Sequence, residues 1–226
     1  MSPKHIVRSY DADLDRAKSK IMEMGRSCVA QLDHATKALE TNDSVLAKRT
    51  MKGDELINTL YSEIDGFTVR LLAIRQPLAG DLRHIISGLK IATDLERIAD
   101  YSANIAEHVI GLDNVILEQP VKAMVEMADK ARSMLSDAME AYRNVDIFKA
   151  TDVWHRDDEI DRDYSQLLSQ LRQYLTDDQN NINAFTHMLF VARSCERIGD
   201  HITNIAESIY YIETGQFYHG NDAAGE

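Results

Sequence analysis

The sequence contains few residues that interrupt helices. Only 3 Pro and 10 Gly occur in 226 residues, and 27% of the residues are charged. No stretch shows the apolar–polar alternation that strands require. Because Gly and Pro break helices and mark the turns of β folds, their scarcity predicts long helices.

Cysteine and long apolar runs are also scarce. The two cysteines, Cys28 and Cys195, are too few for a disulfide framework, which favours a reducing compartment. The N-terminal segment lacks the apolar core of a secretory signal. The longest apolar runs, such as MLFVA at 188–192, are far shorter than the roughly 20 residues of a membrane span. We therefore expect a cytoplasmic protein that does not insert directly into the membrane.

Basic residues are outnumbered by acidic ones. Lys and Arg total 25 against 37 Asp and Glu, which gives a formal net charge of −12. A chain this acidic is unsuited to nucleic acid, which is bound by clustered Lys and Arg, but it suits cations or a basic protein surface. The sequence also has no Gly-rich phosphate loop and no nucleophile–base arrangement. We therefore do not expect an enzyme.

One acidic segment occurs twice. LERIADYSANIAE at 95–107 and CERIGDHITNIAE at 195–207 are identical at eight of thirteen positions. Upstream, GDELIN at 53–58 resembles RDDEID at 156–161. The order of these motifs predicts two similar units of about 100 residues, which we assign to residues 1–115 and 116–226.

Each unit is predicted to contain three helices joined by short connections, which makes neighbouring helices antiparallel. Asp43 and Asp146 are expected N-caps, and the chain from Gly215 onward is expected to fray. The fold class is therefore all-α, with two tandem three-helix bundles. The predicted helices are Ala12–Glu40, Ser44–Arg75, Gly80–Ile110, Val121–Arg143, Ile147–Leu175 and Ile182–Ile212.

The repeated acidic residues lie away from the apolar stripe of each helix and are expected to face outward. Like charges four residues apart destabilise a helix by about 0.2–0.5 kcal/mol per pair, and a multivalent cation would reverse this effect. Arg97 and Arg197 are offset around the helix and are expected to neutralise the acids only imperfectly. Oxygen ligands suit Mg, Ca or Mn, and carboxylates also bridge Fe or Zn in clusters. A solvated acidic face without metal is the alternative. The pairs are Glu96 with Asp100, Asp157 with Asp161, and Glu196 with Asp200.

The chain resembles the PhoU family from about residue 10 to residue 218. The resemblance rests on GDELIN, RQPLAGDLR, LERIAD, ARSCERIGDHITNIAE and YYIETGQ. It implies two tandem bundles whose acidic motifs bind divalent or trivalent metal ions, in clusters of Fe, Zn, Mn or Mg. Asn58 departs from the carboxylate pattern and is a weaker, neutral ligand. The metal ligands implied by position are Asp54, Asn58, Glu96, Asp100, Asp157, Asp161, Glu196 and Asp200.

The resemblance also implies a function. Family members are expected to repress the phosphate-starvation response, and to modulate high-affinity phosphate uptake, when phosphate is plentiful. The implied partners are the phosphate transporter ATPase and a membrane sensor histidine kinase, and we expect a homodimer. Two alternatives remain open from the residues alone, a metal-storage or metal-buffering helical protein and a metal-free scaffold bundle.

Overall fold

The computed structural model describes residues 3–112, 118–177, 181–218 and 220, with side chains from residue 10 onward except those of residues 176 and 177. Within these residues the chain is all-α and contains no strand, which confirms the predicted fold class. The helices are α1 (Pro3–Thr41), α2 (Ser44–Arg75), α3 (Ala79–Ile110), α4 (Glu118–Asn144), α5 (Ile147–Asp177) and α6 (Ile182–Thr214).

The helix boundaries follow the local signals in the sequence. The Asp43 carboxylate accepts hydrogen bonds from the backbone N–H groups of Val45 and Leu46, at 2.9 and 3.0 Å. The Asp146 carboxylate accepts one from the N–H of Lys149 at 3.0 Å. Both predicted N-caps are therefore confirmed. The first helix begins at Pro3 rather than at residue 12, because proline is well tolerated in the first turn.

The equivalent helices α3 and α6 of the two repeats pack against each other in opposite directions. On α3 and α6, Asp94 contacts His201 and His108 contacts His187, so one helix ascends where the other descends. α1 and α4 are also adjacent. Among the described residues, α2 contacts only α1 and α3, and α5 contacts only α4 and α6. The repeats are thus joined through α1, α3, α4 and α6, with α2 and α5 on the outside.

Buried apolar side chains form one cluster that includes residues of all six helices. Leu32 and Leu95 of the first repeat and Leu135 and Ile198 of the second are fully buried in it. The division at residues 115 and 116 stays a prediction, and it falls within residues 113–117, outside the described part. None of the described helices is both long and apolar enough to span a membrane.

The segment after α6 is ordered as far as Tyr218. Gly215 adopts a left-handed conformation that ends the helix, and Tyr218 is 3% exposed. The Tyr218 hydroxyl lies 2.8 Å from Nε2 of His155, and its ring packs edge-on against Trp154. The prediction of fraying was therefore wrong for Gly215–Tyr218, because aromatic contacts hold this segment. Residues 219 and 221–226 lie outside the described part.

Val145, just after α4, has a φ of +52°, which is unfavourable for a β-branched residue. The equivalent residue after α1 is Asn42, with a φ of +49°, and Asn tolerates this conformation. We expect Val145→Asn to raise the free energy of unfolding by about 1 kcal/mol and Tm by roughly 2–4 °C. The reciprocal change, Asn42→Val, should lower both by a similar amount. Thermal melts that move both variants in the same direction would contradict this explanation.

Candidate functional site

The predicted ligands of the second repeat lie together between α5 and α6. Burial, together with the negative charges of Asp161, Asp200 and Glu196, raises the pKa of Asp157 to about 7. The pKa of Glu196 is raised by burial and by Asp200. The pKa of Asp161 is raised by the same two causes. These shifts show that the four carboxylates form one electrostatic cluster in which negative charge is insufficiently compensated.

Two oxygens of this cluster are buried without a hydrogen-bond partner in the described part of the chain, Oδ1 of Asp157 and Oε2 of Glu196. The Asp157 carboxylate fits against Gly199 of α6, where a Cβ atom would clash with Oδ1. Burying a carboxylate without a donor is costly. A site that accepts this cost has the electrostatic properties expected of a cation-binding site.

The first repeat arranges its acids differently. Asp54 accepts hydrogen bonds from Nε2 of Gln31 at 3.4 Å and from Nδ2 of Asn58 at 2.7 Å. Glu96 and Asp100 lie nearby, and burial raises the pKa of both. Asp100 raises the pKa of Glu96 further, and Asp54 raises that of Asp100. The structure thus groups the four predicted positions of this repeat too, with Asn58 serving as a donor to Asp54.

Two substitutions between the repeats explain this difference. Met134 is the residue equivalent to Gln31, because the same offset in sequence relates Asp54 to Asp157. A methionine side chain cannot donate a hydrogen bond. Ala99 stands in the first repeat where Gly199 stands in the second. The sequence alone did not assign Gln31, Met134 or Gly199 to the site. The only indication of a difference in the sequence was that the motif reads ERIAD in the first repeat and ERIGD in the second.

Arginines compensate part of the acidic charge in both repeats. Arg97 lies 3.5 Å from the Glu96 carboxylate and 3.2 Å from that of Asp100. Arg197 makes the equivalent contacts at 3.6 and 3.0 Å with Glu196 and Asp200. Each arginine therefore contacts both acids of its motif. The arginines neutralise the acids more completely than their offset around the helix predicted. Among the described residues, no three His, Cys, Asp or Glu side chains are already arranged to hold a metal ion.

The expectation of outward-facing acids was wrong for Glu96 and Glu196, whose side chains are only 20% and 14% exposed. The side chains of Asp100 and Asp200 are 37% and 41% exposed. Glu207, further along the same face of α6, accepts a hydrogen bond from the indole N–H of Trp154 at 3.1 Å. The acids therefore belong to interhelical grooves whose neighbours determine their charge.

Cys195 and His201 flank the ERIGD motif of the second repeat. Cys195 is buried, and burial raises the pKa of its thiol to about 12, so it is an unreactive core residue. Nδ1 of His201 lies 2.9 Å from the Asp94 carboxylate across the α3–α6 contact. Asp94 was not singled out from the sequence, because nothing in α3 alone indicates which residue of α6 it meets.

The comparison with known families agrees with this double arrangement. A family model described as PhoU domain matches residues 21–109 and again residues 124–209, so each match coincides with one repeat. This chain belongs to the PhoU family. The two matches together cover most of the chain and include all eight predicted ligand positions.

PhoU-family relatives are similar over nearly their whole length. The chain is 38% identical over 214 residues to the phosphate-specific transport system accessory protein PhoU homolog of Caulobacter vibrioides, covering 94% of this chain and 93% of that protein. It is 34% identical over 213 residues to the PhoU accessory protein of Escherichia coli K12, covering 94% and 88%. The crystal structure of Pseudomonas aeruginosa PhoU superimposes with a TM-score of 0.89 at 34% identity, covering 92% of this chain and all of that one.

The residues present fit the metal ions that PhoU resemblance implies, most clearly in the second repeat. Their donors are all oxygens, two of the buried oxygens lack a hydrogen-bond partner among the described residues, and Gly199 provides the space that Asp157 occupies. In the first repeat the set consists of three carboxylates and one amide. Such donors suit hard and borderline cations.

Proposed function

We propose that this PhoU-family chain is a phosphate-signalling adaptor. It represses the phosphate-starvation response and modulates high-affinity phosphate uptake when phosphate is plentiful. The observation that carries the proposal is the near-full-length similarity to proteins named phosphate-specific transport system accessory protein. A structural relative from Streptococcus pneumoniae is titled phosphate transport system regulatory protein, with a TM-score of 0.87 at 30% identity. The adaptor acts by binding rather than by catalysis.

Its proposed partners are the ATPase of the phosphate transporter and a membrane sensor histidine kinase, which it meets in the cytoplasm as a homodimer. The antiparallel packing of α3 on α6 gives the molecule two similar acidic surfaces. A partner with two related subunits, such as a transporter ATPase dimer, suits such a molecule. The acidic charge speeds encounter with basic surfaces at low salt.

Metal ions are proposed to bind at both acidic clusters. In the second repeat, Asp157, Asp161, Glu196 and Asp200 would hold them. In the first repeat the ligands would be Asp54, Asn58, Glu96 and Asp100. A bound cation would replace the arginines as the partner of these carboxylates and would order the surrounding surface. Its identity among Fe, Zn, Mn and Mg is left to experiment.

The Gly199 contact gives a specific test of this metal site. We expect Gly199→Ala to displace the Asp157 carboxylate and to weaken metal binding in the second repeat by about tenfold, which is about 1.4 kcal/mol. Metal-free stability should be unchanged or higher, because Ala favours a helix over Gly by about 1 kcal/mol. Calorimetric titration with Mn²⁺ measures the affinity. Ala99→Gly is the matched control, and equal loss in both variants would contradict the role of this contact.

The signalling function is tested in cells. A strain that lacks its own copy and carries a phosphate-starvation phosphatase reporter is complemented with the wild-type gene or with Glu107→Lys. Glu107 is exposed on the same side of α3 as Glu96 and Asp100. We expect the wild type to keep the reporter repressed in phosphate-rich medium and Glu107→Lys to derepress it.

The matched control is Glu126→Lys, which makes the same charge change at an exposed position on α4. Pull-down from phosphate-replete cells asks whether the transporter ATPase or the histidine kinase accompanies the chain. Failure of the wild type to repress the reporter overturns the proposed function. Equal effects of the two lysine variants would show that the acidic face is not the signalling surface.

A further inference from the structure

A cavity of about 220 Å³ lies where the two repeats meet, and none of the eight predicted metal ligands lines it. Residues of α1, α2 and α3 line it from the first repeat, and residues of α4 and α6 line it from the second. Much of the wall is aliphatic and includes Ile21, Ile85, Ile209 and Ile212. An apolar cavity of about 150 Å³ can bind benzene, so this cavity has room for a slightly larger apolar group.

The space beside α3 exists because residue 88 is a glycine. A Cβ atom at Gly88 would lie 3.0 Å from Cδ1 of Ile21 on α1 and 3.4 Å from the hydroxyl oxygen of Tyr142 on α4. α1 and α3 run parallel here, since Sγ of Cys28 contacts the carbonyl of Leu95, seven residues further along both helices. The cavity is therefore bordered by both repeats at one level of the bundle.

Two buried hydroxyl groups line the cavity. Tyr142 is 7% exposed and Thr68 is 4% exposed, and both border the open space. Within the part of the chain that the structure describes, neither hydroxyl has a hydrogen-bond partner. Burying a hydroxyl group without such a partner is costly. Burial also raises the pKa of Tyr142, so its hydroxyl keeps a proton that it can donate to a ligand.

The charged side chains at the edge of the cavity are Lys18, Asp15 and Asp81, together with His84. Lys18 is half-buried, and its ammonium group has no ion pair or hydrogen bond with any described residue. Asp15, Asp81 and His84 are exposed, and Nδ1 of His84 lies 3.1 Å from the carbonyl of Gly80. Because exposed charges are screened more strongly than half-buried ones, Lys18 acts most strongly on the cavity and favours an anion.

We propose that this cavity binds a small amphipathic carboxylic acid. The apolar body of the acid lies against Ile21 and Gly88, and its carboxylate accepts hydrogen bonds from Lys18 and from the Tyr142 hydroxyl. Lys18 precedes Ile21 by one helical turn, which places both on the same side of α1. The inference goes beyond the proposed function and is independent of metal binding. Because both repeats line the cavity, the bound acid stabilises the packing of one repeat on the other.

The test titrates the purified full chain with phenylpropionate, whose apolar body is slightly larger than benzene. Phenylpropanol and phenylpropylamine carry the same body with a neutral and a positive end, and inorganic phosphate is an anion without an apolar body. Calorimetry should show that the acid binds more tightly than the alcohol or the amine, and that phosphate does not compete with it. The acid should also raise Tm. Failure of the acid to bind, as expected of a cavity that holds only water, overturns the inference, and so does tighter binding of the amine.

Gly88→Ala tests the position of the apolar body. Its methyl group fills part of the cavity, so phenylpropionate binding should weaken by about tenfold or more. The variant should remain folded, because Ala favours a helix over Gly and the end of the Ile21 side chain can shift. Gly66→Ala is the matched control in α2, where a Cβ atom meets nothing within 4 Å, and it should keep the wild-type affinity. Equal affinity of the two variants for the acid overturns the inference.

Lys18→Met tests the position of the carboxylate, because it removes the charge but keeps a side chain of similar length. We expect phenylpropionate binding to weaken by about tenfold or more and phenylpropanol binding to stay unchanged. Tyr142→Phe should weaken the binding of both compounds. Lys48→Met, at an exposed position on α2, is the matched control and should bind the acid as the wild type does. An equal loss of acid and alcohol binding in Lys18→Met overturns the inference, because it would show that Lys18 supports the fold rather than the anion.

Discussion

Replacing Asp157 and Asp200 together by alanine is expected to reduce metal binding in the second repeat by about 100-fold or more while leaving helicity intact. Removing a residue that only hydrogen-bonds to a metal ligand typically lowers metal affinity by about 10–100-fold. This variant loses two direct ligands, so the effect should be larger. The helices should persist because neither side chain contributes to the apolar core. Without metal, the variant should even be more stable, since it removes two mutually repelling charges. Elemental analysis after gel filtration and circular dichroism measure the two effects.

The matched control is Asp152→Ala with Asp158→Ala. It removes two exposed acids of α5 that are not among the predicted ligands. The control should retain the metal content of the wild type. Unchanged metal content in the Asp157 and Asp200 variant would exclude this site, whatever its effect on signalling.

Metal-free protein should lose stability as pH rises through the range in which Asp157 ionises. Burial and the neighbouring acids raise the pKa of Asp157 in the folded state to about 7, against about 3.9 in the unfolded chain. The folded state therefore binds the proton more tightly, and stability falls between about pH 4 and pH 7 and stays low above it. The full shift corresponds to about 4 kcal/mol, which solvent screening at this half-buried position reduces to roughly 1–2 kcal/mol.

Asp157→Asn removes this ionisation. At pH 8 the free energy of unfolding of the variant should therefore be roughly 1–2 kcal/mol higher than that of the wild type. At pH 4, where Asp157 is protonated in the folded state and about half protonated in the unfolded chain, the two proteins should differ little in stability. Urea denaturation of chelator-treated protein at several pH values measures the difference. Asp158→Asn removes the same formal charge at an exposed neighbour but retains Asp157, so it should keep most of the pH dependence of the wild type. A difference that is the same at pH 4 and pH 8 would show that Asp157 is not the responsible group.

The sequence by itself determined the helices and their repetition. Apolar spacing and the scarcity of Gly and Pro located all six helices, and Asp43 and Asp146 located two of their starts, because these signals act within a few residues. The ERIAD and ERIGD motifs also determined which positions correspond between repeats. A pair such as Glu196 and Asp200 was found because a helix places residues four apart on one side.

Only the tertiary structure decided what surrounds those positions. Burial of Asp157 against Gly199, and the absence of a donor where Met134 replaces Gln31, depend on which helix face meets which neighbour. The meeting of Asp94 with His201 depends on the antiparallel register of α3 and α6, which are far apart in sequence. Local periodicity determines which side of a helix a residue occupies, but the burial, the hydrogen bonds and the pKa of that residue are determined by the helix packed against it.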